Sequence, residues 1–478
     1  MTRVLFWNIE NFGLNKIFSP SNVRRRGHGG LTDAQAAAQR RVIIQAVLNA
    51  ANPDIIVVIE VSSGDNHPNA LATQTGGMEA MANIQFQLNA SGLFPGGWNL
   101  VPPLYTGVGG VSETVGILYR RQNTAGTTFR FFTGPNIWTA GGYAGTSQDP
   151  ATGLAPAPYP VPAMVGQVNI HSMLVPPLPP PAVAPTVPRA IPAAAQHNAG
   201  LNENVVAARI YFDDTMGAPV AFAGLREPFM ATFTETGPGP GFALQRDLTL
   251  FGIHSPPNGV AATNYMLLLA TIQEIVGPLG ANETRVIGGD FNRNLLAATG
   301  APSGAYAPLT GAGYTLLIAP TAVGVPVNVD QYIGYFSTHI RGSSKTAMSK
   351  FLWSDPASAA PSAYPGYGYV GSNFVATPFY AIDNILVWPH QGAPYNYNTT
   401  IMNTVVGTPM NAVAMPADNP PVGTIAMAHQ FGAPGGAWPP APGAPNYVGI
   451  GSATNLVSWA NYRRIKNTSD HFGVVADV

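Results

Sequence analysis

Twice along this chain an apolar strand leads through a helix into a second apolar strand, and each of these strands carries a polar residue at its end. In the first unit, RVLFWNI at 3–9 has the β-rich composition of a buried strand, with Asn8 near its end and Asn11, Phe12 and Gly13 closing it. Thr32, three residues ahead of Gln35, caps a predicted helix over roughly 33–50, where Val42, Ile43, Val47 and Leu48 recur at helical spacing. Asn52-Pro53 stops that helix, and DIIVVIEV at 54–61 is a continuous apolar strand ending in Glu60. A second helix over 77–91 and a strand TVGILYR at 114–120 follow. The second unit runs from DLTLFGIHS at 247–255 through a helix at about 262–276 to TRVIGGDFN at 284–292. Tyr265, Leu268, Leu269, Ile272 and Ile275 mark its helix; His254 and Asp290 close its strands. Such short crossovers force parallel neighbours with helices on the outer face, so the expected class is α/β, its strand ends converging on one rim. AIDNILV at 381–387 and FGVVADV at 472–478 add two late strands.

The 478 residues would suit one elaborated domain or two to three ordinary ones. Only 9% of them are charged, against about 25% in average soluble proteins, while Gly and Pro number 53 and 46. Disorder does not explain this, because 46% of the chain is hydrophobic, enough apolar surface to offset ordering entropy. A membrane helix is not expected either: IIVVI at 55–59 and YMLLLATI at 265–272 fall short of the roughly 20 residues a span requires. The formal net charge of −1 offers no bulk attraction to nucleic acid or anionic lipid, so any polyanion must be held locally. The absence of cysteine excludes disulfides, thiolate catalysis and Cys-ligated metals. The N-terminus shows no charged-then-apolar leader, which points to a cytoplasmic protein or to export by a route that reads no leader.

Much of the Gly and Pro excess falls in two stretches, approximately 143–200 and 389–450. Both read as long loops, polyproline arms or coverings, too rich in Pro and Gly for central strands or helices. They are expected to be insertions in a single elaborated domain spanning 1–478. Lining a cleft they would shape the substrate; on the far side they would offer a surface to a protein partner.

A lone Asp after a strand is ordinarily a turn residue or helix cap. Here Asn8, Glu60, His254, Asp290 with Asn292, Asp383, and Asp470 with His471 all stand at strand ends, in a chain with only 23 acidic residues and 9 histidines. Carboxylates and amide oxygens suit a hard divalent cation such as Mg²⁺. Phosphodiester hydrolysis needs an activated water, charge neutralisation on the phosphoryl oxygens and stabilisation of the leaving oxygen, and this inventory supplies each.

WNIENFG at 7–13, VIEVSS at 58–63, GIHS at 252–255, GGDFNRN at 288–294, AIDNILV at 381–387 and TSDHFGV at 468–474 resemble, in order, the motifs of the endonuclease/exonuclease/phosphatase superfamily. REPFMATF at 226–233 is similar to a strand of its deoxyribonuclease I group. The resemblance implies a four-layer α/β (α+β) sandwich: two packed mixed β-sheets flanked by helices, with the Pro/Gly-rich stretches as insertions. It implies that Asn8 and Glu60 bind the cation with Asp470 nearby, Glu113 orients His254, and Asp383 orients His471. Asp290 would position the attacking water, Asn292 would contact the scissile phosphate, and Arg226 would hold a phosphate oxygen. Glu10 stands where pancreatic-type nucleases carry an arginine and resembles an acidic metal ligand of the apurinic-site endonucleases. Val111 stands where digestive nucleases keep an aromatic residue, and Trp7 is expected in the core.

The implied activity is a divalent-metal-dependent phosphodiesterase that cleaves DNA as an endonuclease, using Mg²⁺ or Mn²⁺, with Ca²⁺ as a structural ion. Two alternatives stand beside it: action on a phospholipid head group or inositol phosphate, and a catalytically retired binding protein on the same fold. Arg24, Arg25, Arg26 and His28, and the group Arg463, Arg464 and Lys466, read as solvated loops that could also grip a phosphate backbone.

Overall fold

The computed structural model describes residues 2–17, 32–62, 76–91, 97–101, 105–107, 113–120, 128–132, 138–139, 142–143, 212–236, 244–279, 283–294, 303–318, 338–339, 382–390, 398–402, 404–405, 425–426, 429–431 and 466–478. Arg24, Arg25, Arg26, His28, Val111, Arg463, Arg464 and residues 144–200 lie outside them.

Two mixed sheets form the centre. The first comprises β1 (Arg3–Phe12), β2 (Ile55–Ser62), β3 (Trp98–Leu100), β4 (Tyr105–Thr106), β5 (Glu113–Arg120), β14 (Asn398–Met402), β17 (His429–Phe431) and β18 (Gly473–Asp477). Its order is β17-β14-β18-β1-β2-β5-β3, with β4 also paired to β5. The second comprises β6 (Thr128–Phe132), β9 (Phe229–Thr236), β10 (Leu244–His254), β11 (Glu283–Asp290), β12 (Thr315–Leu316) and β13 (Asp383–Trp388), in the order β12-β13-β11-β10-β9-β6. Two small antiparallel two-stranded sheets, β7 (Trp138–Thr139) with β8 (Gly142–Tyr143) and β15 (Thr404–Val405) with β16 (Ile425–Ala426), stand outside these sheets. Both expected crossovers are parallel, β1 to β2 and β10 to β11.

Strand alternation sets the layers. Phe6 faces the second sheet, where a Cβ on Gly288 would lie 2.6 Å from its ring. Val4, Ile55, Val57 and Ile59 share that inter-sheet core, while Leu5, Trp7, Ile56 and Val58 belong to the cluster on the opposite face. There they meet Ile44, Val47 and Leu48 of a helix Asp33–Ala51 and Met81, Ile84 and Leu88 of a helix Gly76–Ala90. Thr32 caps the first of these through the expected reciprocal box with Gln35. In the second sheet Gly252 faces the first, a Cβ there lying 2.9 Å from Val115, so Phe251 points outward. It meets Phe212 with ring centroids 6.3 Å apart, and Phe222 links Phe212 to Tyr265 of the helix Gly259–Leu269. The order is therefore helices, sheet, sheet, helix, the four-layer sandwich that the motifs implied.

Two expectations are corrected. The helix predicted at about 262–276 is two, Gly259–Leu269 and Gln273–Val276. Between them Thr271 O accepts a hydrogen bond from Thr215 N, Ile272 bridges to Asp214, and Gln273 N donates to Asp213 O, so pairing with a neighbouring segment replaces helical bonds. The stretch 389–450 is not devoid of central strand: β14, an NTTIM run free of Gly and Pro, lies between β17 and β18. Among the described residues no helix is long and apolar enough to cross a membrane.

Candidate active site

The register places the polar residues side by side. His254 pairs with Asp290 across β10 and β11, and Asp290 pairs with Asp383 across β11 and β13, so three of them occupy one rung. On the first sheet Asn8 pairs with Ile59, next to Glu60, and Ser62 pairs with Glu113. Both parallel strands there are bulged beyond this point, and Glu10, Asn11 and Glu60 have φ of 25°, 53° and 62°. Non-glycine residues held at positive φ, and bulges that re-aim side chains, concentrate at functional sites.

Asp290 is the hub. Its Oδ1 accepts from Asn292 N at 2.8 Å, and its Oδ2 accepts from Asn8 Nδ2 and Asn292 Nδ2, each at 3.2 Å. Asn292, itself at φ 48°, also donates to Ser255 O at 2.8 Å. On either side an imidazole Nε2 stands 3.7 Å from Asp290 Oδ2, His254 on one and His471 on the other. That is beyond hydrogen-bond range and leaves space for a reacting atom to approach.

Each ring is held from behind. Glu113 Oε1 lies 2.8 Å from His254 Nδ1, and its Oε2 lies 3.0 Å from Arg226 Nε. Asp383 holds His471 Nδ1 at 2.9 and 3.1 Å. Burial works against a charged His254, but Glu113 by charge and hydrogen bond, with Asp290, carries its pKa above the ordinary value. Burial likewise opposes protonation of His471, and Asp383, Asp290 and Asp470 outweigh it, raising that pKa to about 10.

The oxygen donors are arranged less uniformly. Glu60 falls within 4.8 Å of Glu113 and His254 in ligand-atom separation. Burial pushes its carboxyl up; His254 pulls the other way and Glu113 adds to the rise. Such a carboxylate, one residue beyond the Asn8–Ile59 pair, suits a hard oxygen-seeking cation, whose charge would offset the cost of burial. Asp470 groups instead with His339 and His471. Glu10 joins none of these groups among the described residues. Its carboxylate lies 4.0 Å from Lys16 Nζ, and its N–H donates to Asn8 Oδ1 at 3.0 Å.

The sequence reading passed over four residues that hold this geometry. Lys16 is buried, donates from Nζ to Ile9 O at 2.8 Å and to Glu10 O, and so ties down the bulge beyond Asn8. Burial brings its pKa down to about 8, against the opposing pull of Glu10 and Asp470. Thr338 Oγ1 accepts from Ile382 N and Asp383 N at 3.0 and 2.9 Å. Ser469 Oγ donates to Asn8 O at 2.6 Å and accepts from His471 N at 2.9 Å. His339 packs edge-on against His471 with ring centroids 4.6 Å apart. Trp7 is in the core, its indole N–H donating to His471 O at 3.0 Å.

Among solved structures the chain is similar to the human Nocturnin catalytic domain with bound sulfate anion, at 10% identity and TM-score 0.34, covering 100% of this chain and 93% of that one. It is similar to a mannosyl-6-phosphatase from Bacteroides thetaiotaomicron, at 11% identity and TM-score 0.34, covering 100% and 99%. D. rerio TDP2 complexed with single strand DNA product is similar at 11% identity and TM-score 0.32, again covering 100% and 99%. No family model matches the chain, and no curated protein matches it in sequence. At such identities and TM-scores the chain's own residues carry the argument. Two packed mixed sheets with outer helices form the four-layer sandwich that the motifs implied, its polar strand ends gathered around Asp290.

Proposed function

We propose that this protein is a divalent-metal-dependent phosphodiester hydrolase that nicks DNA as an endonuclease. The observation that carries the reading is Asp290 Oδ2 with His254 Nε2 and His471 Nε2 each 3.7 Å away, both rings braced by their own carboxylates. Asp290 accepts the proton of a water as its oxygen attacks phosphorus. The backbone N–H of Asn292 and the amides of Asn8 and Asn292 fix that carboxylate so that it need not reorganise. His254 and His471, protonated through Glu113 and Asp383, donate from Nε2 to the phosphoryl oxygens, where negative charge grows. Arg226, fastened to Glu113, adds a guanidinium on the His254 side.

Asn8 and Glu60 would hold Mg²⁺, or Mn²⁺ in its place; Asp470 and Glu10, also expected as donors, stand outside the Glu60 group among the described residues. When bound, that ion supplies positive charge at the leaving oxygen. The DNA assignment adds to this chemistry the deoxyribonuclease-like REPFMATF segment that carries Arg226. Substrate class is tested by offering supercoiled plasmid, phosphatidylcholine vesicles and an inositol phosphate to the same Mg²⁺-loaded protein. Strand breaks alone are expected; phosphocholine or inorganic phosphate released without strand breaks would move the substrate to a lipid head group or inositol phosphate.

A further inference from the structure

His471 also belongs to a second cluster at the rim of the centre, whose His339 is not used by this chemistry. His339 Nε2 lies 3.7 Å from Asp470 Oδ2, and Asp470 Oδ1 lies 3.9 Å from His471 Nε2. The ligand atoms of all three residues fall within 4.8 Å of one another. These contacts are long, with His339 still favouring the charged Asp470 carboxylate, and ligands of one ion at about 2.0–2.2 Å stand roughly 3–4 Å apart. Two imidazoles and a carboxylate form a softer donor set than the oxygens around Glu60, and it is the set of open, three-ligand zinc sites.

The surroundings brace the three ligands. Asp383 binds His471 Nδ1 at 2.9 Å, which leaves Nε2 as the ring's coordinating atom. His339 is fixed against His471 by a β-bridge and by the edge-on ring contact. Phe472 N donates to Thr338 O at 2.7 Å, anchoring the residue before His339. Lys466 Nζ, 3.3 Å from Asp470 Oδ2, holds the carboxylate and leaves Oδ1 facing His471.

We propose that His339, Asp470 and His471 form a binding site for Zn²⁺, separate from the oxygen-donor site at Glu60. It has a functional consequence that rests on the hydrolase reading above. His471 Nε2 cannot both ligate zinc and donate to a phosphoryl oxygen, so occupancy of this site switches hydrolysis off. The site is an inhibitory one, and His339 is its specific component.

The test begins without substrate. Zn²⁺ is titrated by calorimetry into the metal-stripped full-length protein, its His339→Ala variant and its His339→Asp variant. Wild type is expected to bind one zinc that His339→Ala weakens by about 10–100-fold or more, while His339→Asp, which restores a ligand oxygen, recovers much of the loss. X-ray absorption of the wild-type zinc complex is expected to show two imidazole ligands at about 2.0 Å. Equal binding by wild type and His339→Ala, or fewer than two imidazoles on the wild-type zinc, overturns the site even if the alanine variant does not fold. Phosphodiester hydrolysis under Mg²⁺ is then measured against added Zn²⁺, and His339→Ala is expected to need at least tenfold more zinc for half-inhibition. Equal inhibition of both proteins overturns the switch. Zinc bound as described by a protein that hydrolyses no phosphodiester leaves the site standing and sinks the hydrolase reading instead.

Discussion

Glu113 serves two cations at once, Arg226 through one carboxylate oxygen and His254 through the other. Its replacement by Gln keeps the shape and removes the charge, so the His254 pKa should fall in an NMR titration of the metal-free protein. Phosphodiesterase activity should fall with it by about 10²–10⁴-fold, the ordinary worth of a positioned acid or base. The Asp383–His471 pair makes a sharper pH prediction. A histidine whose folded pKa is raised to about 10 adds stability that is full below its unfolded value near ~6.5 and is lost as pH rises through the folded value. Unfolding free energy measured across that window should therefore decline towards alkaline pH, and the decline should shrink in Asp383→Asn. These residues were legible in the sequence because each stands at or beside one end of a strand, and a strand end has a fixed address on the sheet. His339 and Lys16 were not, since His339 precedes no recognisable strand and Lys16 sits in a four-residue helix, Leu14–Ile17, without periodicity to read.

At the scale of elements, the site depends on how closely the two sheets approach. Gly252 and Gly288 pair in register on β10 and β11, and both face the first sheet. A Cβ at Gly288 would meet the Phe6 ring at 2.6 Å, so Gly288→Ala should destabilise by about 1–3 kcal/mol in urea titrations, and Phe6→Leu should recover part of that. The glycines were visible in the GIHS and GGDFN motifs, but their partner Phe6 could be named only once the sheets were stacked. The bulge after Asn8 is another such element. Lys16→Met keeps the apolar stem and removes the ammonium that binds Ile9 O and Glu10 O. It should weaken Mg²⁺ binding in calorimetry by releasing the backbone that aims Asn8. Continuous apolar strands announced themselves; the helix break at 270–272 did not, because its cause is pairing with residues 213–215, more than fifty positions earlier in the chain.

For the whole molecule, a net charge of −1 conceals a concentration of buried acids. Glu113, Asp290 and Asp383 are buried at the meeting of the two sheets, with Glu60 and Asp470 beside them. This density of carboxylate costs stability unless cations answer it, and two histidines, Arg226 and Lys466 do so in part. A divalent ion should answer the rest. Mg²⁺ at about one hundred times its dissociation constant should add about 2.7 kcal/mol to unfolding stability, and Glu60→Gln should lose most of that gain. The most direct test is conversion of supercoiled plasmid to open circles under Mg²⁺. The wild type should nick, and His254→Ala and His471→Ala should each be slower by about 10²-fold or more while retaining the wild-type circular dichroism spectrum. A wild-type protein that leaves the plasmid supercoiled, or alanine variants that nick as fast as it does, would contradict the account.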